Sequence, residues 1–434
     1  FWAFAEARRR LHQAIEFAFV NRGFFEDELR MLGNATTNFR TYDFRLLELK
    51  PRLERPETAA IVGAGPSLDD TIETLRRIRE RVLLFSCGTA LRPLLKRGFI
   101  PDFHCELENI PELHGVIEET ARFGDLSQMT LIASATVDPR VPRFFGQTIF
   151  LFRDLVSSTE ILGRRFHIVP GVSPTCVNLG LAAGVALGCT DFVFFGTDCG
   201  TRPGGKRHAD GTIYGELGVW QERDSRKRNT IELEGNFGGT IATDWVYDAC
   251  RVMLANSIEV RCLTVQNCSD GALIPGARPC APESFEIVKP PVDRGALQRA
   301  LEIQLRHFAT GELLDECDLS GLGAEAERMF GDLFGLLDEV ALDPDFAALH
   351  DRLRMFASTA ADQYGGCLSI IGGTVTALPR IAMFYGARLD EGPLRRALYA
   401  RAIEEIRGIV AEMQERTCAL LREVAPDRAM LPAA

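Results

Sequence analysis

The residues able to do chemistry cluster at the ends of apolar runs. Thr58–Val62 is short, apolar and partly β-branched, reads as a buried strand, and leads into Gly63-Ala64-Gly65-Pro66-Ser67-Leu68. Gly63 and Gly65 allow a tight turn with uncovered backbone N–H groups. Pro66 suits a first helical turn. Ser67 can donate its hydroxyl to an anion seated on the helix N-terminus. The turn therefore predicts a phosphate or nucleotide cradle, although a ligand-free strand-to-helix junction has the same composition. Cys87-Gly88-Thr89 follows the run Val82–Ser86, and Gly196-Thr197-Asp198 follows the very apolar Phe192–Phe195. An acid at 198 could orient a ribose hydroxyl, hold a metal or act as a base, and it could equally cap a loop.

Other groups fit the same scheme. Glu106 and Glu108 stand two apart after Pro101-Asp102-Phe103, so on a strand they share one face. That suits a metal or a proton relay, or a hydrated edge. Gly171-Val172-Ser173-Pro174-Thr175 offers N–H groups and the hydroxyls of Ser173 and Thr175 at a helix start. Asn267, Cys268, Ser269 and Asp270 form a polar loop after the run Ile258–Val265. A long loop from Cys199 to Thr240 carries Arg202, Lys206, Arg207, His208, Asp210, Tyr214, Arg223, Arg226, Lys227 and Arg228. A loop of this length suggests a lid, a binding segment or a disordered stretch; its cations could neutralise phosphate, while the charge run Glu222–Arg228 reads as a solvated surface. His208 is its best candidate base, with Asp210 nearby, because an imidazole titrates near neutrality. A surface histidine without a role is the alternative.

These residues need a scaffold that makes strand ends converge. Strands are expected at Thr58–Val62, Val82–Ser86, Asp102–Glu106, Thr130–Ala133, Thr148–Phe152, Asp191–Gly196 and Ile258–Val265. Helices fall between several of them, notably at Asp69–Glu80, Thr89–Arg97, Pro174–Leu187 and Thr243–Asn256. This alternation predicts an α/β, Rossmann-like domain with a mostly parallel sheet over residues 56–280. Ligands of such sheets bind beyond the carboxyl ends of the strands. The small residues Gly180, Ala182, Ala183, Gly184, Ala186 and Gly188 read as a helix face packed close to the sheet. Residues 1–55 form a short helical N-terminal segment whose Phe1, Trp2, Phe4, Phe17, Phe19, Phe24 and Phe25 suit a docking face. Pro282–Pro291 reads as a linker, and residues 281–434 as a helical C-terminal domain.

Bulk properties narrow the function classes. The chain of 434 residues has a net charge of −11, which disfavours general nucleic-acid binding and a broad anionic-membrane surface. Its twelve cysteines show no C-x-x-C spacing, which fits reduced core residues and a cytoplasmic location. The long uncharged run Ile168–Thr190 contains Pro170, Pro174 and Asn178, so no membrane span is expected there. Arg8, Arg9 and Arg10 follow the first apolar residues, unlike a signal peptide, and the start at Phe1 fits a fragment or a processed form.

Gly63–Leu68, Gly98-Phe99-Ile100-Pro101-Asp102-Phe103, Leu187-Gly188-Cys189 with Phe195–Asp198, and Asp270–Gly276 together resemble the Maf (motility-associated factor) flagellin glycosyltransferases. Their central domain is similar to a 6-hydroxymethylpterin diphosphokinase. There is also a more distant likeness to bacterial sialyltransferases that use CMP-sialic acid. That likeness implies that Gly63, Gly65, Pro66 and Ser67 hold the CMP phosphate. It also implies that Ser173, Pro174, Thr175 and Asp198 line the nucleotide crevice, with Asn267, Cys268 and Ser269 nearby. Two departures stand out. Gly88 replaces an asparagine of those enzymes, and Gly238-Gly239-Thr240 replaces the segment that carries their catalytic histidine. His208, Asp210 or Glu234 would have to supply the base, or the acceptor hydroxyl would need little base help; Asp198 is a further catalytic candidate.

The resemblance implies transfer of a nonulosonic acid, of pseudaminic or legionaminic type, from a CMP donor to Ser or Thr of flagellin. No tightly bound cofactor is expected, with Mg²⁺ an allowed addition. A pyrophosphokinase using ATP and Mg²⁺, with Glu106, Glu108 and Asp198 as oxygen ligands, is the second reading. A non-catalytic flagellin-binding module is the third.

Overall fold

The computed structural model describes residues 23–51, 54–213, 231–342, 346–359 and 361–424. The aromatic residues before Gly23 and the cations from Tyr214 to Arg228 lie outside these ranges. The described residues divide between two compact units. One contains Thr41–Asp154 and Phe166–Gly311, and the other contains Leu155–Arg165 and the helices from Glu312 onward, together with most of the first helix.

The first unit is built on a sheet of β1 (Phe44–Leu47), β2 (Arg55–Val62), β3 (Val82–Cys87), β4 (Phe103–Glu106), β5 (Thr130–Ser134), β6 (Gln147–Leu151), β7 (Cys189–Phe195), β10 (Thr264–Asn267), β11 (Ala277–Pro279) and β12 (Arg306–Phe308). A separate hairpin pairs β8 (Ile231–Glu234) with β9 (Thr240–Thr243). The order is β11-β10-β7-β2-β3-β4-β5-β6-β1-β12. Every neighbouring pair is parallel except β1 with β12. From β2 the chain winds outward one way through β3 to β6, and from β7 it winds the other way through β10 and β11. The reversal opens a crevice at the carboxyl ends of β2 and β7, where such sheets take ligands.

Burial follows from strand alternation. Ala59, Ile61, Phe85 and Phe103 face one layer, against Leu179, Ala183 and Ala186 of α6 (Cys176–Ala186). Ala60, Val62, Leu84 and Val193 face the other, against Leu68, Leu75 and Ile78 of α2 (Leu68–Ile78) and Leu94 of α3 (Leu91–Lys96). Phe192, Phe194 and Phe195 are at most 2% exposed. Removing such side chains from water stabilises the fold by roughly 1.5–3 kcal/mol each. The small face of α6 packs as expected. A Cβ at Gly180 would lie 2.7 Å from Cys87 Sγ, and one at Gly184 would lie 2.7 Å from the Phe192 ring.

Several elements differ from the sequence reading. No strand begins at Ile258, because α7 (Trp245–Val260) continues through it and buries its side chain. The chain then turns at Arg261–Cys262, with Cys262 at φ +52°, and β10 starts at Thr264. A short apolar run looks the same at the end of a buried helix as in a strand. The expected N-terminal helical segment holds α1 (Phe25–Thr41) but also β1, which pairs with β6 and β12. The hairpin β8–β9 occupies part of the long loop. α4 (Glu112–Ala121) was not anticipated. Residues 282–292 pack on the sheet unit. Phe285 lies edge-on to Phe195, Lys289 pairs with Asp191 at 2.5 Å, and the Val292 N–H donates to Glu80 O at 2.7 Å. α8 (Arg294–Gln304) and β12 complete this unit.

The second unit is helical: α5 (Ser157–Leu162), α9 (Glu312–Glu316), α10 (Leu322–Leu342), α11 (Phe346–Thr359), α12 (Ala361–Gly386) and α13 (Pro393–Val424). α12 packs against α5, α10, α11 and α13. Gly366 lets α5 approach, since a Cβ there would lie 2.3 Å from Ile161. Among the described residues one stretch, Gly366–Gly386 of α12, is long and apolar enough to cross a membrane. Cys367, Ile370, Ile371 and Val375 within it are buried in this unit.

Candidate active site

The turn after β2 is shaped by its neighbour. A Cβ at Gly63 would meet Gly196 O at 2.5 Å, and one at Gly65 would meet Asp198 Oδ2 at 1.9 Å. Glycine is required here because two strand ends approach this closely. The N–H groups of Gly63 and Gly65, expected to be uncovered, instead donate to Phe195 O (2.9 Å) and Gly196 O (2.8 Å). Ser67 is buried, and its hydroxyl donates to Asp198 Oδ2 at 2.9 Å. The Ser67 N–H also serves this carboxylate. The N-terminal end of α2 thus already holds an anion, and that anion belongs to the protein.

Asp198 is 3% exposed and lines the cavity described below. Its Oδ1 accepts no hydrogen bond from the described residues. Burial pushes its pKa up to about 7; the Ser67 hydroxyl and N–H pull downward, while Asp270 and Asp70 push further up. The polar loop after β10 fixes the turn that carries it. Asn267 Oδ1 accepts the Ser269 N–H at 3.0 Å, Ser269 Oγ accepts the Thr197 N–H at 2.9 Å, and Asp198 O accepts the Ala272 N–H at 2.7 Å.

A second acidic group sits at the end of β4. Glu106 Oε1 accepts from the Leu107 N–H (2.8 Å), the Glu108 N–H (3.1 Å) and the Cys176 thiol (3.3 Å). Its Oε2 lies 3.7 Å from His104 Nε2. Burial works against this carboxylate, yet His104 and the two backbone N–H groups outweigh burial and hold it below the usual range. Burial, reinforced by the Glu106 and Glu108 charges, drives the Cys176 thiol well above its ordinary value.

These groups open onto a cavity of about 870 Å³ at the strand-order reversal. It brings together Gly65, Cys87, Gly88, Thr89, Glu106, Glu108, Thr175, Asp198 and His208 from the sequence expectation. Gly63, Pro66 and Ser67 lie outside its lining, as do Asn267 and Ser269, which support the turn beneath it. Ser173 Oγ instead accepts from Arg153 at 3.3 Å. Asp210 is set away from the cavity: its side chain is 76% exposed and pairs with Lys206 at 3.0 Å. Glu234 also lies off the lining, exposed on β8. Among the described residues Glu106 and Glu108 belong to no group of three His, Cys, Asp or Glu placed to hold an ion. At the position of the transferases' histidine, Gly239 has φ +73°, and a Cβ there would lie 2.7 Å from Arg202 Nη1. Arg202 in turn donates to Gly238 O at 2.8 Å and pairs with Asp270.

Other lining residues escaped the sequence reading. Asp244 Oδ1 caps α7 through the N–H groups of Val246 (3.0 Å) and Tyr247 (3.2 Å), and its Oδ2 accepts from Arg207 at 2.9 Å. An aspartate just before a helical pattern is an N-cap signal that could have found it. Burial raises the Tyr247 pKa. α4 contributes an apolar wall of Leu113, Val116 and Ile117, for which the sequence offered no cue. The cavity lining therefore combines polar side chains, Asp198, Arg207 and His208 among them, with apolar ones. Its size suits a nucleotide-linked ligand.

Residues 29–204 match the 6-hydroxymethylpterin diphosphokinase MptE-like family. The solved structure of the MAf glycosyltransferase from Magnetospirillum magneticum AMB-1 superposes with a TM-score of 0.77 at 24% identity, covering 94% of this chain and 62% of that one. An uncharacterized protein of Treponema pallidum (strain Nichols) is 35% identical over 75 residues, 17% of this chain and 35% of its own length. The chain thus spans less than two thirds of each of these relatives. Residues 29–204 are thus similar to the MptE-like family, and the chain has the fold of the MAf glycosyltransferase.

Proposed function

We propose that the protein is a cytoplasmic glycosyltransferase that moves a nonulosonic acid, of pseudaminic or legionaminic type, from a CMP donor to a Ser or Thr hydroxyl of flagellin. The observation that carries this reading is Asp198: a buried carboxylate with a pKa near 7, one unpartnered oxygen, and a place on the wall of a nucleotide-sized cavity. A base poised near the working pH is what hydroxyl activation needs. In the reaction the acceptor oxygen bonds to the anomeric carbon as the bond to the CMP phosphate breaks, and the hydroxyl proton passes to Asp198. Ser67 holds the carboxylate in position. Arg207, which also lines the cavity, supplies a positive charge for the leaving phosphate.

The MptE-like match favours a second reading, a pyrophosphokinase using ATP and Mg²⁺. Against it, Glu106 commits Oε1 to two backbone N–H groups and a thiol. Thermal denaturation with CMP, or with ATP plus Mg²⁺, separates the readings. A rise in Tm with CMP in chelator supports the transferase. A response confined to ATP plus Mg²⁺ favours the kinase, and no nucleotide response favours a binding module. With the donor in hand, Asp198→Asn should lower the transfer rate about 10²–10⁴-fold. A variant that transfers at the wild-type rate would remove Asp198 from the mechanism.

A further inference from the structure

Four of the twelve cysteines, Cys87, Cys176, Cys199 and Cys250, line the cavity, and the proposed transfer uses none of them. Two of the four touch. Cys199 directly follows Asp198, and Cys250 lies on α7; their Sγ atoms are 3.7 Å apart. They come from sequence positions 51 residues apart, so only the fold brings them together.

We infer that Cys199 and Cys250 form an oxidant-sensitive thiol pair that closes to a disulfide and thereby alters the site at Asp198. A sulfur–sulfur separation of 3.7 Å is a contact between reduced thiols. Closure requires about 2.05 Å, which side-chain rotation can supply if the flanking backbone gives slightly. Cys250 Sγ is 3.2 Å from Thr175 Oγ1, and Asn178 Nδ2 donates to Cys250 O at 3.1 Å. Thr243 Oγ1 donates to Cys199 O at 2.7 Å. The pair therefore ties the exit of β7 to the start of α6 and to α7, three elements of the same cavity wall. Cys199 already has φ +49°, a strained backbone for a residue with a Cβ. Tension applied there passes directly to Asp198.

The chemistry is that of a redox sensor. The Cys199 thiol donates toward Cys250, which keeps the Cys250 pKa below its ordinary value and makes Cys250 the attacking sulfur. Cys250 thiolate attacks a hydroperoxide, breaking the O–O bond to give a sulfenic acid and, with a proton, water or an alcohol. Cys199 sulfur then displaces the sulfenic hydroxyl, which leaves as water with the Cys199 proton. Two thiols are oxidised and one hydroperoxide is reduced. In a reducing compartment such a bond would be transient and regulatory.

The test uses the full chain, reduced, then treated with hydrogen peroxide, alkylated and digested without reductant. The expected product is a peptide linked through Cys199 and Cys250, reversed by dithiothreitol, together with loss of the Tm rise caused by CMP. Cys250→Ser and Cys199→Ser should each show the same CMP response before and after peroxide. Alkylation of both residues after a dose that oxidises the exposed Cys262 would overturn the inference. So would a linkage to any other cysteine. If the linked peptide forms in a protein whose reduced form ignores CMP, the thiol pair stands and the transferase reading falls.

Discussion

Asp198 sets the behaviour of the site at the scale of single residues. Its carboxyl has a folded pKa of about 7 against an ordinary value near 3.8, because burial penalises its charge more than Ser67 relieves it. A pKa raised by folding stabilises the protein while the group is protonated, and that contribution is lost as pH rises from the unfolded value through about 7. Stability should therefore fall between about pH 4 and pH 7 by a few kcal/mol more in the native chain than in Asp198→Asn. Chemical denaturation of both proteins across that range measures the difference, and parallel curves would refute the assignment. Activity should run the opposite way, rising through about pH 7 as the base loses its proton. Much of this residue was legible in the sequence, since an acid after a buried apolar strand belongs at a ligand crevice. Its contact with Gly65 was not legible, because a glycine-rich turn reads the same whether it leaves room for a phosphate or for a carboxylate of its own chain.

Among elements, the close seating of α6 on the sheet makes the sharpest demand. Gly184→Val would push a side chain into the Phe192 ring, where even a Cβ would lie at 2.7 Å, and should destabilise by about 1–3 kcal/mol. Gly115 is an instructive contrast. It sits inside α4 with nothing within 4 Å of where a Cβ would go. Gly115→Ala should stabilise by about 0.5–1 kcal/mol. Melting curves of the two variants, expected to shift in opposite directions, check both. The long strands and α6 were readable from apolar runs and small-residue spacing. β1, β11 and β12 have three or four residues each and owe their pairing to neighbours far along the chain. Ile258 shows the same limit from the other side, an apolar residue whose helical state is decided by what it packs against.

Over the whole molecule, the two compact units allow function and stability to be tested separately. Gly366 in the helical unit faces Ile161 at a distance that excludes a side chain. Gly366→Leu should lower the melting temperature of that unit by several degrees. The CMP response of the sheet unit, whose lining residues all lie within 64–250, should persist. Calorimetry with and without CMP reads both. Loss of the nucleotide response in this variant would mean that the cavity depends on the helical unit.

The arrangement at Gly239 bears on what a side chain at that position would do to the site. Grafting in the histidine that sialyltransferases use would place a branched ring at a left-handed backbone position already filled by the Arg202 guanidinium. The graft would have to displace Arg202, and with it the partner of Asp270, whose charge helps set the proton affinity of Asp198. Placing an imidazole at 239 in this scaffold would therefore retune the buried acid.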